Sequence, residues 1–250
     1  AENSAVGTEV GTLTTTDADV GDTFTYSITT QDVSAAFQIA GDKLQVGSGT
    51  VDFEATPTLS VTVRTTDSGG LTFDKALTVT VTGVNEAPTD ASLSSSTIAE
   101  NSAVGTEVGT LTTTDADVGD TFTYSITTQD VSAAFQIADD KLQVGSGTVD
   151  FEATPTLSVT VRSTDSGGLT FDKALTVTVT GVNEAPTDVS LSSSTIAENS
   201  AVGTEVGTLT TTDADVGDTF TYSITTQDVS AAFQIAGDKL QVGSGTVDFE

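Results

Sequence analysis

One segment, AENSAVGTEVGTLTTTDADVGD, begins at Ala1, again at Ala99 and again at Ala197. The repeat period is 98 residues, and this constrains the chain more than any other feature. Displacing the 250 residues by one period overlaps 152 positions, of which four differ: Gly41/Asp139, Thr65/Ser163, Ala91/Val189 and Asp139/Gly237. A unit of this length is too long for a solenoid repeat and suits an autonomous β-sandwich. Each period holds one linker-like segment, VNEAPTD, at Val84–Asp90 and Val182–Asp188. Boundaries there divide the chain into 1–86, 87–184 and 185–250. The first unit is expected to lack its first strand. The third stops before the counterparts of Leu157–Thr164 and Lys173–Thr180 and should not be stable alone. The chain is therefore expected to be a window from a longer array.

Within a period every segment reads as strand. Leu77, Val79 and Val81 alternate with threonines, and the same two-residue rhythm runs through Leu59–Val63, Phe24–Ile28 and Phe37–Ile39. Alternation with one apolar face is the pattern of half-buried antiparallel strands, and the Thr and Val content suits a pleated surface. Turns are predicted at Gly41-Asp42, Gly47–Gly49 and Ser68–Gly70. Val10 and Leu13 break parity, which predicts a bulge near Gly11. No stretch carries a helical period. About seven short strands per period predict an all-β chain: tandem Greek-key seven-stranded β-sandwich domains, end to end.

Composition narrows the chemistry. There are 36 Asp+Glu against 7 Lys+Arg, for a net charge of -29, and no Cys, His, Met or Trp. Thiol nucleophiles, disulfides, imidazole metal sites and a Ser-His-Asp triad are excluded. Seven basic residues cannot neutralise a phosphate backbone, so nucleic acid is no partner. No apolar run is long enough to span a bilayer. Oxygen is the one strong ligand type on offer, which points to a hard cation, above all Ca2+.

The acids are not scattered evenly. Asp17/Asp19 and Asp52/Glu54 are i, i+2 pairs, whose side chains share one side of an extended chain. Two carboxylates about 4–5 Å apart repel by roughly 1 kcal/mol in water and by more where partly buried. The same pair suits Ca2+, which takes about 6–8 oxygens.

In order along each period stand AENSxxGT, DADxGD, FxI, VDFE, a TTDSGGL turn and VNEAP. This order resembles a cadherin-type repeat, most closely the tandem cadherin-like repeats of secreted bacterial surface adhesins, in the manner of an RTX-adhesin extender region. The resemblance implies sandwich domains with Ca2+ in each junction. It assigns Glu2, Asp52, Glu54, Asn85 and Glu86 to the first junction, completed by Asp115, Asp117 and Asp165 of the next unit. The second would use Glu100, Asp150, Glu152, Asn183 and Glu184 with Asp213 and Asp215. Asp17, Asp19 and Asp67 would face a preceding unit, and Glu198, Asp248 and Glu250 a following one. The linker departs from the family's D-x-N-D-N-A-P form: Gly83 replaces the first acid and one Asn is missing. Asp22, Asp32, Asp42, Asp74 and Asp90 match no motif and are expected to be surface charge. Phe24, Tyr26, Phe37, Phe53 and Phe73 are expected in or near the core.

Near-identical units present no unique site. The expected role is a Ca2+-stiffened extracellular stalk or filament-forming segment of a bacterial adhesin, bound to neighbouring repeats and not an enzyme. The alternatives are homophilic adhesion or polymerisation through the repeats themselves, or glycan binding.

Overall fold

The computed structural model describes residues 1–246 and contains only β-structure there. The second repeat is the most complete. Its strands are β7 (Asp90–Leu93), β8 (Thr97–Ala99), β9 (Glu107–Thr114), β10 (Thr123–Gln129), β11 (Phe135–Ala138), β12 (Lys141–Val144), β13 (Thr156–Thr164) and β14 (Thr170–Thr180). One sheet has the order β11-β12-β9-β7, the other β10-β13-β14-β8. All pairs are antiparallel except β8 with β14. The expected first strand is therefore divided between the sheets. Residues Asp90–Leu93 pair with β9, the chain crosses at Ser94–Ser96, and Thr97–Ala99 run parallel to β14.

Alternation puts one face of each sheet into a shared core. Along β13 the burial alternates strictly, and Leu157, Val159 and Val161 meet Val177 and Val179 of β14 together with Leu111, Phe135 and Leu142. Fully burying side chains of this kind contributes about 1.5–3 kcal/mol each. The parity break also appears as expected. Gly109 pairs with Leu142 and Glu107 with Gln143, so Val108 is bulged, and it is buried. The first repeat shows the same shift between Glu9 and Gly11.

The first repeat has strands β1 (Glu9–Thr12), β2 (Thr25–Gln31), β3 (Phe37–Ala40), β4 (Lys43–Val46), β5 (Thr58–Thr66) and β6 (Thr72–Thr80) in sheets β1-β4-β3 and β2-β5-β6. Strand β1 is half the length of β9, and among the described residues no strand of the first repeat pairs with β1 as β7 pairs with β9. A groove of about 640 Å³ lies there, lined by Thr14–Thr16, Phe24, Tyr26, Phe73 and Leu77. Phe73 is consequently 66% exposed, contrary to its core assignment, whereas its counterpart Phe171 is half-buried. Phe53 is also more open than expected, at 37%, while Phe37 is buried.

In the third repeat, β15 (Asp188–Leu191), β16 (Glu205–Thr212), β17 (Phe233–Ala236) and β18 (Lys239–Val242) form the sheet β15-β16-β18-β17. Among the described residues it has no second sheet. Thr221–Gln227, identical to β2 and β10, forms no strand there.

Candidate metal centre

The AEN motif closes the first and second repeats from within. Glu100 is 2% exposed. Its carboxylate accepts the Phe151 N–H at 2.8 Å and the Val182 N–H at 2.6 Å. Glu2 is likewise 2% exposed and accepts from Phe53 and Val84. A buried acid is tolerated because backbone donors replace its water. Those N–H groups hold Glu2 and Glu100 below the usual carboxylate range. The next glutamates respond oppositely. Burial first, then contact with Glu2 or Glu100, pushes Glu54 and Glu152 up.

Four groups of three carboxylates, each with an oxygen within 4.8 Å of the others, appear among the described residues. Two are the glutamate trios Glu2-Glu54-Glu86 and Glu100-Glu152-Glu184. The other two are Asp17-Asp19-Asp22 and Asp115-Asp120-Asp165. Asp117 stands beside the last trio and accepts the Glu86 N–H at 2.7 Å, so the linker is tied directly to the following repeat. Asn85 donates its amide to Asp165 at 3.0 Å. At the next linker the Glu184 N–H reaches Asp215 at 2.7 Å, and the Asp215 N–H reaches Asp213 at 3.2 Å. Asn183 donates to the Glu184 carbonyl.

The same residues differ in burial with what precedes them. Asp17 and Asp19 are exposed, but Asp115, Asp117, Asp213 and Asp215 are half-buried. Asp67 is half-buried and Asp165 only 6% exposed. Docking of a linker accounts for the change. Burial also isolates oxygens: one carboxylate oxygen each of Asp115, Asp120 and Asp213 is inaccessible and has no hydrogen-bond partner. An orphaned carboxylate oxygen inside a cluster of its own sign is costly unless a cation completes it. The donors are oxygens alone, which suits Ca2+.

Not every expected residue joins a trio. Asp52 and Asp150 each cap their own turn, accepting the Ala55 and Ala153 N–H at 2.8 Å. Asp67 accepts the Leu71 N–H and lies outside the Asp17 group. Glu198 is exposed. Asp248 and Glu250 lie outside the described residues.

Some expected surface charges have other work. Asp22 and Asp120 belong to the aspartate trios, and each accepts a seryl hydroxyl of the facing turn, Ser68 at 2.7 Å and Ser166 at 2.8 Å. The repeated Gly-Asp after Asp-Ala-Asp was the available signal. Asp32 accepts the Ser60 N–H. Asp74 pairs bidentately with Arg64, and Asp90 with Lys173. Asn3 and Asn101 were also missed. Both adopt positive φ, at 53° and 56°, and donate to Glu86 and Glu184.

The linker's departure has a steric companion. The Phe53 ring covers Gly83, where a Cβ would sit 3.0 Å from the ring, and Phe151 covers Gly181 in the same way. An aspartate at Gly83 would displace that ring.

These features define a class: tandem β-sandwich repeats whose ends carry carboxylate clusters joined by a short linker. The chain belongs to the cadherin domain family, whose model matches residues 1–82 and 94–180. It is 30% identical over 233 residues to the protocadherin-like wing polarity protein stan of Drosophila melanogaster, covering 86% of this chain and 6% of that protein. It is 30% identical over 241 residues to protocadherin Fat 2 of Rattus norvegicus, covering 89% of this chain and 5% of that one. The chain thus spans a small fraction of these relatives. Among solved structures, mouse cadherin-23 EC22-24 superposes with a TM-score of 0.70 at 25% identity, over 98% of this chain and 84% of that one. Mouse protocadherin-24 EC1-3 gives 0.72 at 21% identity, over 98% and 82%.

Proposed function

We propose that this chain is a Ca2+-rigidified extracellular repeat array, a stalk or filament-forming segment of a bacterial surface adhesin, divided at 86/87 and 184/185. One observation carries the reading. The linker backbone at Glu86 and Glu184, each next to a glutamate trio of its own repeat, is held by Asp117 and Asp215 of the following repeat, and oxygens of Asp115 and Asp213 are buried there without a partner. Glu2, Glu54 and Glu86 with Asp115, Asp117, Asp120 and Asp165 would hold cations at the first joint. Glu100, Glu152, Glu184, Asp213 and Asp215 would do so at the second. A bound cation cancels the repulsion that otherwise splays the repeats and makes the joint stiff. Extracellular modules bind Ca2+ at about 10⁻⁴–10⁻³ M, so the joint is rigid outside cells and slack in cytosol. On this reading the chain is not an enzyme and takes no nucleic acid, and no helix among the described residues is long and apolar enough to cross a membrane.

Small-angle scattering of the chain in Ca2+ and in chelator tests this. The maximum dimension and the thermal midpoint should both fall on chelation; if neither changes, the reading fails. A strict monomer at high concentration in Ca2+ would favour the stalk over self-adhesion.

A further inference from the structure

Tyr26, Tyr124 and Tyr222 stand at the same place in the three repeats, and each phenol is hydrogen-bonded to the threonine eleven residues earlier. The distances are 3.1 Å with Thr15, 3.0 Å from Thr113 and 2.8 Å with Thr211. Tyr222 keeps its bond although it lies in no strand. The bond is therefore not a by-product of strand pairing. In the second repeat Thr113 belongs to β9 and Tyr124 to β10, which lie in different sheets, so the bond ties one sheet to the other.

This tie sits on a graded inward face. Alternate residues of β13 stay inward past the strand end: Val161 and Ser163 are fully buried and Asp165 is 6% exposed. Along β9 the same alternation runs from buried Leu111 through half-buried Thr113 to half-buried Asp115. Tyr124 faces Ser163 across the β10–β13 ladder. Each sheet thus passes from apolar core, through hydroxyls, to a carboxylate. Asp115 follows β9 and Asp165 follows β13, yet their oxygens lie within 4.8 Å of each other. Like charges at that spacing push the two strand ends apart, and the Thr113–Tyr124 bond holds them two residues below.

Ser163 belongs to this layer but bonds to nothing; its hydroxyl is buried without a partner. The first repeat has Thr65 there, one of the four positions at which repeats differ. Thr15 bonds to both Tyr26 and Thr65, the latter at 3.0 Å, so that layer is closed. Branching at Cβ stiffens the threonine side chain, whereas serine has no such restraint.

We propose that Thr113 and Tyr124 are positioning residues for the cation at the first joint. Their hydroxyl layer holds Asp115 and Asp165 at a ligating separation before the ion arrives, and Ser163 leaves the layer one bond short. Neither residue is a ligand. Groups behind the ligands set affinity by reducing the cost of gathering like charges. The inference deepens the cation reading and rests on it.

The chain has three tyrosines and no tryptophan, which supplies a local probe. Terbium, a hard oxygen-seeking ion, emits when excited through a nearby tyrosine. In the whole chain carrying Tyr26→Phe and Tyr222→Phe, Tyr124 is the one remaining tyrosine, and emission displaced by Ca2+ reports the first joint. In that background Thr113→Val should weaken terbium and Ca2+ by about fivefold or more, the worth of one hydrogen bond. Thr113→Ser, which restores the hydroxyl, should recover the affinity. Thr113→Val should also alter the near-ultraviolet circular dichroism of Tyr124 in chelator. Ser163→Thr should close the layer and tighten binding by about threefold. The proposal is overturned if Thr113→Val lowers the denaturant midpoint in chelator but binds within twofold of the parent, or if Thr113→Ser binds as weakly as Thr113→Val. A Ser163→Thr variant as stable as the parent in chelator that binds no tighter overturns it as well; if that variant is less stable, Thr113→Val and its serine rescue decide. Calorimetry with Ca2+ on the parent separates the two failures. No binding there overturns the cation reading and this inference with it, whereas binding indifferent to Thr113 overturns this inference alone.

Discussion

At Asp139 the second repeat meets with a side chain the backbone demand that the other repeats meet with glycine. Asp139 occupies the tip of the β11–β12 hairpin with φ 56°, where the other repeats place Gly41 at 63° and Gly237 at 65°. A left-handed conformation is unfavourable for a residue with a Cβ, though Asp bears it better than most. Asp139→Gly should therefore stabilise the second repeat by about 0.5–1 kcal/mol, measured by denaturant midpoint. The glutamates give a pH prediction. Glu100 is depressed, so its contribution is present above the ordinary glutamate range and lost as pH falls through its lowered value. Glu152 is raised, so its proton opposes a cation at the same oxygens. As pH falls toward that raised value, cation binding should become coupled to proton release and weaken. Titration calorimetry in buffers of different ionisation heat checks this, and a binding heat independent of buffer would refute it. At this scale the acid motifs were legible because they recur in order. The hydrogen bonds that pick Asp120 over Asp150 were not, since they depend on the facing turn.

At the level of elements, the three copies of TYSITTQ are instructive. Thr25–Gln31 and Thr123–Gln129 are strands paired to β5 and β13, whereas Thr221–Gln227 is not a strand. Propensity and alternation are the same in all three. A strand needs a partner to satisfy its N–H and C=O groups, and among the described residues no strand pairs with Thr221–Gln227. The chain has no native cysteine, so single probes are clean. Ile224→Cys should react with a thiol reagent at least tenfold faster than Ile126→Cys; equal rates would contradict the pairing account. The split of the first strand across both sheets was similarly invisible. Ser94–Ser96 carries no Gly or Pro to announce a crossing, and only the positions of β9 and β14 decide it.

For the whole molecule, the number of strands that cover each repeat's core should set stability. The second repeat's core draws on both sheets, including Ile98, Val108, Val177 and Val179. In the first, Val10, the counterpart of Val108, is 38% exposed. Calorimetry should show the second repeat melting last. Leu157→Ala, at 1% exposure, should cost about 2–5 kcal/mol and shift only that transition. One transition shared by all repeats would instead mean that the joints dominate.

The sequence by itself determined the all-β class, the tandem order and the places where carboxylates would gather. Those follow from a period of two along strands, a period of 98 along the chain and motifs held in register. The tertiary structure alone decided which identical copies behave differently: Phe73 open and Phe171 covered, Asp67 half-buried and Asp165 buried, Gly69 free and Gly167 filled by Asn85. The physical reason is that burial and pairing belong to neighbours far along the chain, and near-identical segments with different neighbours do not share an environment.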